Sequence, residues 1–262
     1  MSWFETIIVA VILLAAGLYL LLAASIIVTA LVESRPVKSL VPADPDDPEQ
    51  RKLGMTGAAP GRSECSDFDS NPYGAPGAKT YVEERVRAAS QLGFTAPRLF
   101  KPVKGGIYKT RNALMVSRSG QILAVIRWGT TAAIRNEVTL LYSALEDGRY
   151  LLTSDRPTGT RTPGFYDDAV LWLADFDQLL RRHEERLFAI NQPIGQFAPE
   201  APLEAYMDIL ERRARLLVDR GEAYWVDPEQ SAFRFTLKGA LKNYGQTLST
   251  KHVDGSLAAT AR

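Results

Sequence analysis

The chain has 262 residues, with 31 Lys and Arg against 30 Asp and Glu and a formal net charge of +1. That balance gives no support to a long-range field that gathers nucleic acid, although it leaves room for a local basic patch. Cys65 is the only cysteine, and His183 and His252 are the only histidines. An intramolecular disulfide is excluded, a closed zinc site within one chain lacks ligands, and no cofactor motif is present.

The N-terminal stretch organises the rest. From Ile7 to Val32 it reads IIVAVILLAAGLYLLLAASIIVTALV, with no charge and no proline. About twenty apolar residues cross a bilayer as a helix, and this run is about 26 long. A cleaved signal peptide has a basic start and an apolar core of about 7–15 residues. Here MSWFET carries no Lys or Arg, and no A-x-A site follows. The run therefore predicts an uncleaved single-pass anchor (7–32) after a short tail (1–6), with the lipid bilayer as its partner. Basic residues close to a span stay cytoplasmic. Arg35 and Lys38 flank only its C-terminal side, so the larger part of the chain is expected in the cytoplasm, at the cell membrane.

Residues 33–78 change in character. PADPDDPEQ and GAAPGRSECSDFDSNPYGAPG are rich in Pro, Gly, Ser and Asp, and apolar residues are sparse. Such a segment buries too little surface to offset its ordering entropy, which predicts a disordered linker. Random-coil scaling gives it a reach of about 35–40 Å, enough to hold a domain off the bilayer surface. Tyr73 and Cys65 are the residues on it with any chemistry beyond a tether.

The remainder predicts an α+β fold. In 79–192, TYVEERVRAASQLGF reads as a short helix with Thr80 as its cap, Glu83 at capping-box spacing, and Val82, Val86, Ala89 and Leu92 as its buried stripe. RLFKPV, GIYKTRNALMVS, QILAVIRWG, RNEVTLLYSAL and RYLLTS read as strands. Ser117–Gly120 and Glu146–Arg149 are tight turns, which enforce antiparallel neighbours and predict an antiparallel β-meander. QILAVIR is apolar nearly throughout, as expected of a central strand covered on both faces. Asp167–Ile190 reads as one long helix, with Ala169, Leu173, Phe176, Leu180, His183 and Leu187 on its inner stripe and Arg181, Arg182 and Arg186 near its end. In 193–250, a helix at Leu203–Arg220, a hairpin and a short helix at Leu237–Leu248 form a helix–hairpin–helix subdomain. Residues 251–262 read as a disordered tail.

Few residues point to chemistry. Lys104-Gly105-Gly106 lacks the rest of a phosphate loop, and His183-Glu184-Glu185 is not H-E-x-x-H. The loop DRPTGTRTPG holds Arg156 and Arg161, candidate anion-binding residues. Lys101, Lys104, Lys109, Arg111, Arg118 and Arg127 spread cations over the sheet. A carboxylate site drawn from Asp155, Asp167, Asp168 and Asp175 is the enzyme reading, and it requires pKa values moved apart by environment. No catalytic residue is assigned.

One local resemblance stands out. LVDRGEAYWVDPEQSAFRFTLKGALKNY resembles the wing end of winged-helix domains: helix, glycine, strand, Asp-Pro turn, strand, then T-x-K-G into a helix. The resemblance implies that the helix before the hairpin enters a DNA groove and that Arg212, Arg213 and Arg215 contact phosphates. It covers about 28 residues and lacks the helices that precede a wing. Three readings follow: a non-enzymatic binding or interaction domain tethered to the membrane, with an unknown protein partner, leads; a dispersed-site enzyme and a nucleic-acid or anionic-lipid binder compete with it. Oligomeric state is not encoded in any feature of the sequence.

Overall fold

A computed structural model describes residues 3–33, 78–100, 108–131, 134–157, 162–190, 192, 194–227 and 232–247. The linker reading, Cys65, Tyr73, Lys101, Lys104, Arg161, His252 and the C-terminal tail lie outside them. The apolar run forms helix α1 (Trp3–Glu33). Its described large side chains, among them Ile12, Leu13, Leu14, Leu20 and Leu21, stand exposed. Among the described residues no helix is long and apolar enough to cross a membrane. Several side chains of α1 fall outside those residues, so the spanning reading of Ile7–Val32 rests on its continuous sequence.

The rest is a mixed α+β fold. Helix α2 (Ala78–Gln91) leads into strands β1 (Arg98–Phe100), β2 (Tyr108–Val116), β3 (Leu123–Thr131), β4 (Ile134–Ala144), β5 (Tyr150–Ser154) and β6 (Tyr166–Val170). They form one sheet in chain order. The first five strands are antiparallel, as the tight turns require. Gly120 and Gly148 take φ of +72° and +82° in the two turns, a backbone that costs a residue without Cβ little.

Register sorts the sheet's side chains into two cores. Ala113, Ile126 and Thr139 are cross-strand partners, and so are Leu114, Val125 and Leu140 one step along. The first row faces α2 and helix α3 (Phe176–Ile190), where Val82, Ala89, Phe176 and Leu179 pack on Met115, Ile126 and Trp128. The second row faces helix α4 (Pro202–Asp219), where Leu203, Tyr206 and Ile209 pack on Leu123, Val125 and Tyr142. Both faces of β3 are therefore dry, which accounts for its continuous apolar run.

Several expectations are corrected. Asp167–Val170 is not the start of a helix but part of β6, which runs parallel to β5. Buried Tyr166 and Val170 bracket three half-buried positions in that strand. The helix begins at Phe176 because Asp175 and Gln178 form a reciprocal capping box: Gln178 N donates to Asp175 Oδ1 at 2.8 Å, and Asp175 N donates to Gln178 Oε1 at 3.2 Å. Leu173 is not on a buried stripe; it stands exposed with a φ of +55°. Thr80 lies inside α2 rather than capping it, and Leu92 is exposed. Arg186 does not serve the helix end but turns back onto β5 and β6.

After α4, strands β7 (Ala223–Asp227) and β8 (Ala232–Phe235) pair as a hairpin, and helix α5 (Leu237–Thr247) follows. Ala214, Leu217, Phe233, Phe235 and Ala240 form their own small core. The T-x-K-G stretch has a structural cause. Thr236 Oγ1 donates to Gly221 O at 3.0 Å and accepts from Gly239 N at 3.1 Å, capping α5. A β-carbon at Gly239 would overlap the Glu222 carbonyl. Gly239→Ala is accordingly expected to cost about 1–3 kcal/mol of stability; an unchanged urea midpoint would show that α5 does not dock this closely.

Candidate functional site

Three buried polar centres interrupt the two cores. The first lies between α2 and the sheet. Asp155 is 1 % exposed. Its Oδ1 accepts from Thr139 N at 2.8 Å, and its Oδ2 accepts from Tyr81 Oη at 3.2 Å and Arg85 Nη2 at 3.3 Å. Arg85 Nη2 also donates to the Ala174 carbonyl at 2.7 Å. Burial pushes the Asp155 carboxyl above its ordinary value, against the Thr139 amide and the Arg85 charge, which pull it down. Burial likewise raises Tyr81. Both oxygens of Asp155 accept from donors that hold α2 to the sheet, so it is a cross-brace.

The second centre lies between α3 and the same sheet face. His183 is fully buried; its Nε2 is 3.0 Å from Ser143 Oγ and its Nδ1 is 2.9 Å from Thr153 Oγ1. The protons can be assigned from the ends of the row. Ser143 Oγ donates to the Gln121 carbonyl at 2.6 Å, so toward His183 it can only accept. Nε2 therefore carries the hydrogen, and Nδ1 accepts from Thr153, whose oxygen in turn accepts from Arg186 Nη1 at 2.8 Å. This is the reverse of a nucleophile activated by a base, where the serine would donate to the imidazole. Burial, with the nearby Arg186 charge, pushes His183 down to about 3. It is a neutral strut, not a physiological proton switch.

The third centre lies on the opposite face, beneath α4. Arg127 of β3 donates from Nε to Asn112 Oδ1 at 3.0 Å and from Nη2 to Tyr206 Oη. Arg213 of α4 donates from Nε to Thr162 Oγ1 at 2.8 Å, while its buried Nη2 makes no hydrogen bond. Both guanidinium charges act on the same two phenols, Tyr142 and Tyr166. Burial nevertheless raises both tyrosines, so they stay neutral donors. The rings of Tyr166 and Tyr206 lie 6.1 and 6.3 Å from that of Tyr142.

The sequence-derived candidates fall out as follows. Arg156 is half-buried with its Nε unbonded, and its charge acts on Asp155; Arg161, its proposed companion, lies outside the described residues. Arg212 and Arg215 pair along their own helix with Asp208 at 2.7 Å and Glu211 at 2.6 Å. Arg213 is on the inward side of α4 rather than its outer face. The structure therefore does not bring the three arginines onto one surface, and α4 is packed between the large sheet and the hairpin. The carboxylates also diverge: Asp155 braces α2, Asp167 pairs with Arg186 at 2.9 Å, and Asp175 caps α3. Among the described residues no group of His, Cys, Asp and Glu is placed to hold a metal ion. Arg127 was legible only as one more strand cation. An arginine ending an otherwise apolar run was the available signal that it turns inward. The chain matches no protein-family model, no curated protein and no solved structure.

Proposed function

We propose that this chain is a single-pass membrane-anchored protein whose α+β domain is a non-enzymatic binding or interaction module on the cytoplasmic side. The observation that carries the anchor is the uncharged run from Ile7 to Val32 within one continuous helix. At 1.5 Å per residue it spans about 39 Å, more than the roughly 30 Å of hydrocarbon. A helix apolar on every side needs either a protein core or a lipid one around it. The exposed leucines and isoleucines of α1 support lipid. Arg35 and Lys38 on the C-terminal flank support the cytoplasmic orientation.

The binding role is supported by how the reactive groups are used. Asp155, His183 and Ser143 are engaged in buried braces, and Asp175 caps α3 through Oδ1. A partner protein or small ligand is then met by surface and by cations, not by an activated nucleophile.

The full chain is expected to stay in the membrane pellet after alkaline carbonate extraction, and a variant lacking residues 7–32 is expected in the supernatant. Full-length chain in the carbonate supernatant would overturn the anchor. Turnover of substrate by the purified protein in a hydrolase or transferase screen would overturn the non-enzymatic reading.

A further inference from the structure

Helix α5 is fixed to the hairpin by one side. Gly239 and Ala240 are buried there, and Lys242 pairs with Glu222. At about 100° per residue the other side carries two neighbouring stripes, Leu237 with Leu241 and Lys238 with Lys242. All four side chains are exposed. The same helix lies alongside α1, with Cα atoms of the two within 8 Å. Among the described residues no other element of the domain runs along α1 to a comparable extent. With α1 in place Leu237 and Leu241 remain 43 % and 38 % exposed, so the anchor helix does not cover them.

Two exposed leucines are ordinary by themselves. Their place beside α1 gives them meaning. A helix this close to one sheathed in hydrocarbon shares its surroundings. At 1.5 Å per residue the 11 residues of α5 span about 16 Å, too short to cross roughly 30 Å of hydrocarbon. Its lysines also bar it from the bilayer centre. The interface is the place that remains, and adjoining apolar and cationic stripes suit a helix lying there.

We infer that α5 lies on the bilayer surface beside α1, with Leu237 and Leu241 in the acyl boundary and Lys238 and Lys242 at anionic headgroups. Lysine stems run along apolar surface while their ammonium groups stay in water, so the two stripes are served together. Glu222 answers part of the Lys242 charge, which leaves Lys238 the larger share of headgroup attraction. The tether by itself lets the domain stand about 35–40 Å away; the α5 contact brings it down onto the membrane. The inference rests on the reading of α1 as an anchor, and it adds the lipid surface as a partner of the domain itself.

The test is spin-label accessibility in the full chain. In a Cys65→Ser background, Leu237→Cys, Leu241→Cys, Leu20→Cys and Phe188→Cys each place one label at an exposed position. The proteins are reconstituted in nanodiscs of phosphatidylcholine with phosphatidylserine. Oxygen concentrates in lipid and a nickel chelate in water, so the ratio of their collisions with the label reports its surroundings. Labels at 237, 241 and 20 are expected to favour oxygen, and the label at 188 on α3 to favour the chelate. If one leucine variant does not fold, the other decides. Chelate-dominated labels at 237 and 241, with oxygen dominant at 20, overturn the inference and leave the anchor standing. Few collisions with either reagent at 237 and 241 mean protein cover in place of lipid and also overturn it. A chelate-dominated label at 20 removes the anchor and the inference with it. Replacing phosphatidylserine by phosphatidylcholine should shift the ratio at 241 toward water; no shift overturns the assignment of the lysines to anionic headgroups.

Discussion

His183→Leu is expected to lower stability at neutral pH and to flatten the acid side of the stability curve. At pH 7.5 the variant loses the acceptor for Thr153 and the donor to Ser143, leaving two buried hydroxyls short of a partner at about 1–3 kcal/mol. The sign of the pH effect follows from the shift. In the folded chain the imidazole titrates at about 3, against 6.5 for the free group. Between those values the unfolded chain binds the proton and the folded chain does not. The contribution of His183 is therefore complete above pH 6.5 and is lost as pH falls, by about 1.4 kcal/mol per unit. At pH 4.5 wild type should have given up about 2.7 kcal/mol through this residue alone, while the leucine variant gives up none. Urea titrations of both proteins at pH 7.5 and 4.5 check this: the gap between them should close. A constant gap would show that the imidazole is not buried neutral. Asp155 works in the opposite sense. Its folded value is raised by burial, so the folded chain holds the extra proton, and stability from that group is lost as pH rises through the folded value. Because Asp155 is present in both proteins, the comparison isolates His183.

Asp155→Ala is expected to be the most damaging single change in the domain at neutral pH, at about 3–5 kcal/mol. The carboxylate joins three elements: Thr139 on β4, Tyr81 and Arg85 on α2, and through Arg85 the carbonyl of Ala174 ahead of α3. Removing it strands the Thr139 amide and leaves a guanidinium whose side chain is 15 % exposed without its counter-ion. Asp155→Asn should fall between, because an amide oxygen still accepts from Thr139 while the charge on Arg85 goes unanswered. The urea midpoint orders the three proteins, and an alanine variant with a wild-type midpoint would refute the cross-brace. The left-handed Leu173, whose amide donates to the Asp155 carbonyl at 3.0 Å, should lose order with it.

How much of this was legible in the sequence depends on the length scale of the cause. The strands and turns of the meander were readable because period-two burial and Asp-Gly chemistry are local. The dry faces of β3 were readable from its unbroken apolar run. The start of α3 was misread because Tyr166–Val170 carries Asp167 and Asp168, which look like a helix N-terminus. The true signal was the spacing of Asp175 and Gln178, eight residues after Asp167 by the numbering. The inward turn of Arg213 was missed because polarity alone places arginine outside. Only the sheet on one side of α4, whose Arg127 lies 79 positions from its partner Tyr206, makes that face the buried one. Arg212 and Arg215, one position to either side of the Arg213–Ala214 pair, are spent on ion pairs with Asp208 and Glu211 that i,i+4 spacing does predict.

The central claim, a domain carried at the membrane on its cytoplasmic side, is tested most directly at Cys65, the only cysteine. It lies between α1 and the domain, so its accessibility reports on which side the chain emerges. In sealed vesicles or intact cells, a membrane-impermeant maleimide should leave Cys65 unlabelled until the bilayer is opened with detergent. Labelling of intact cells from outside would contradict the cytoplasmic placement and make the domain extracytoplasmic, and recovery of Cys65 in the soluble fraction would contradict the anchor itself.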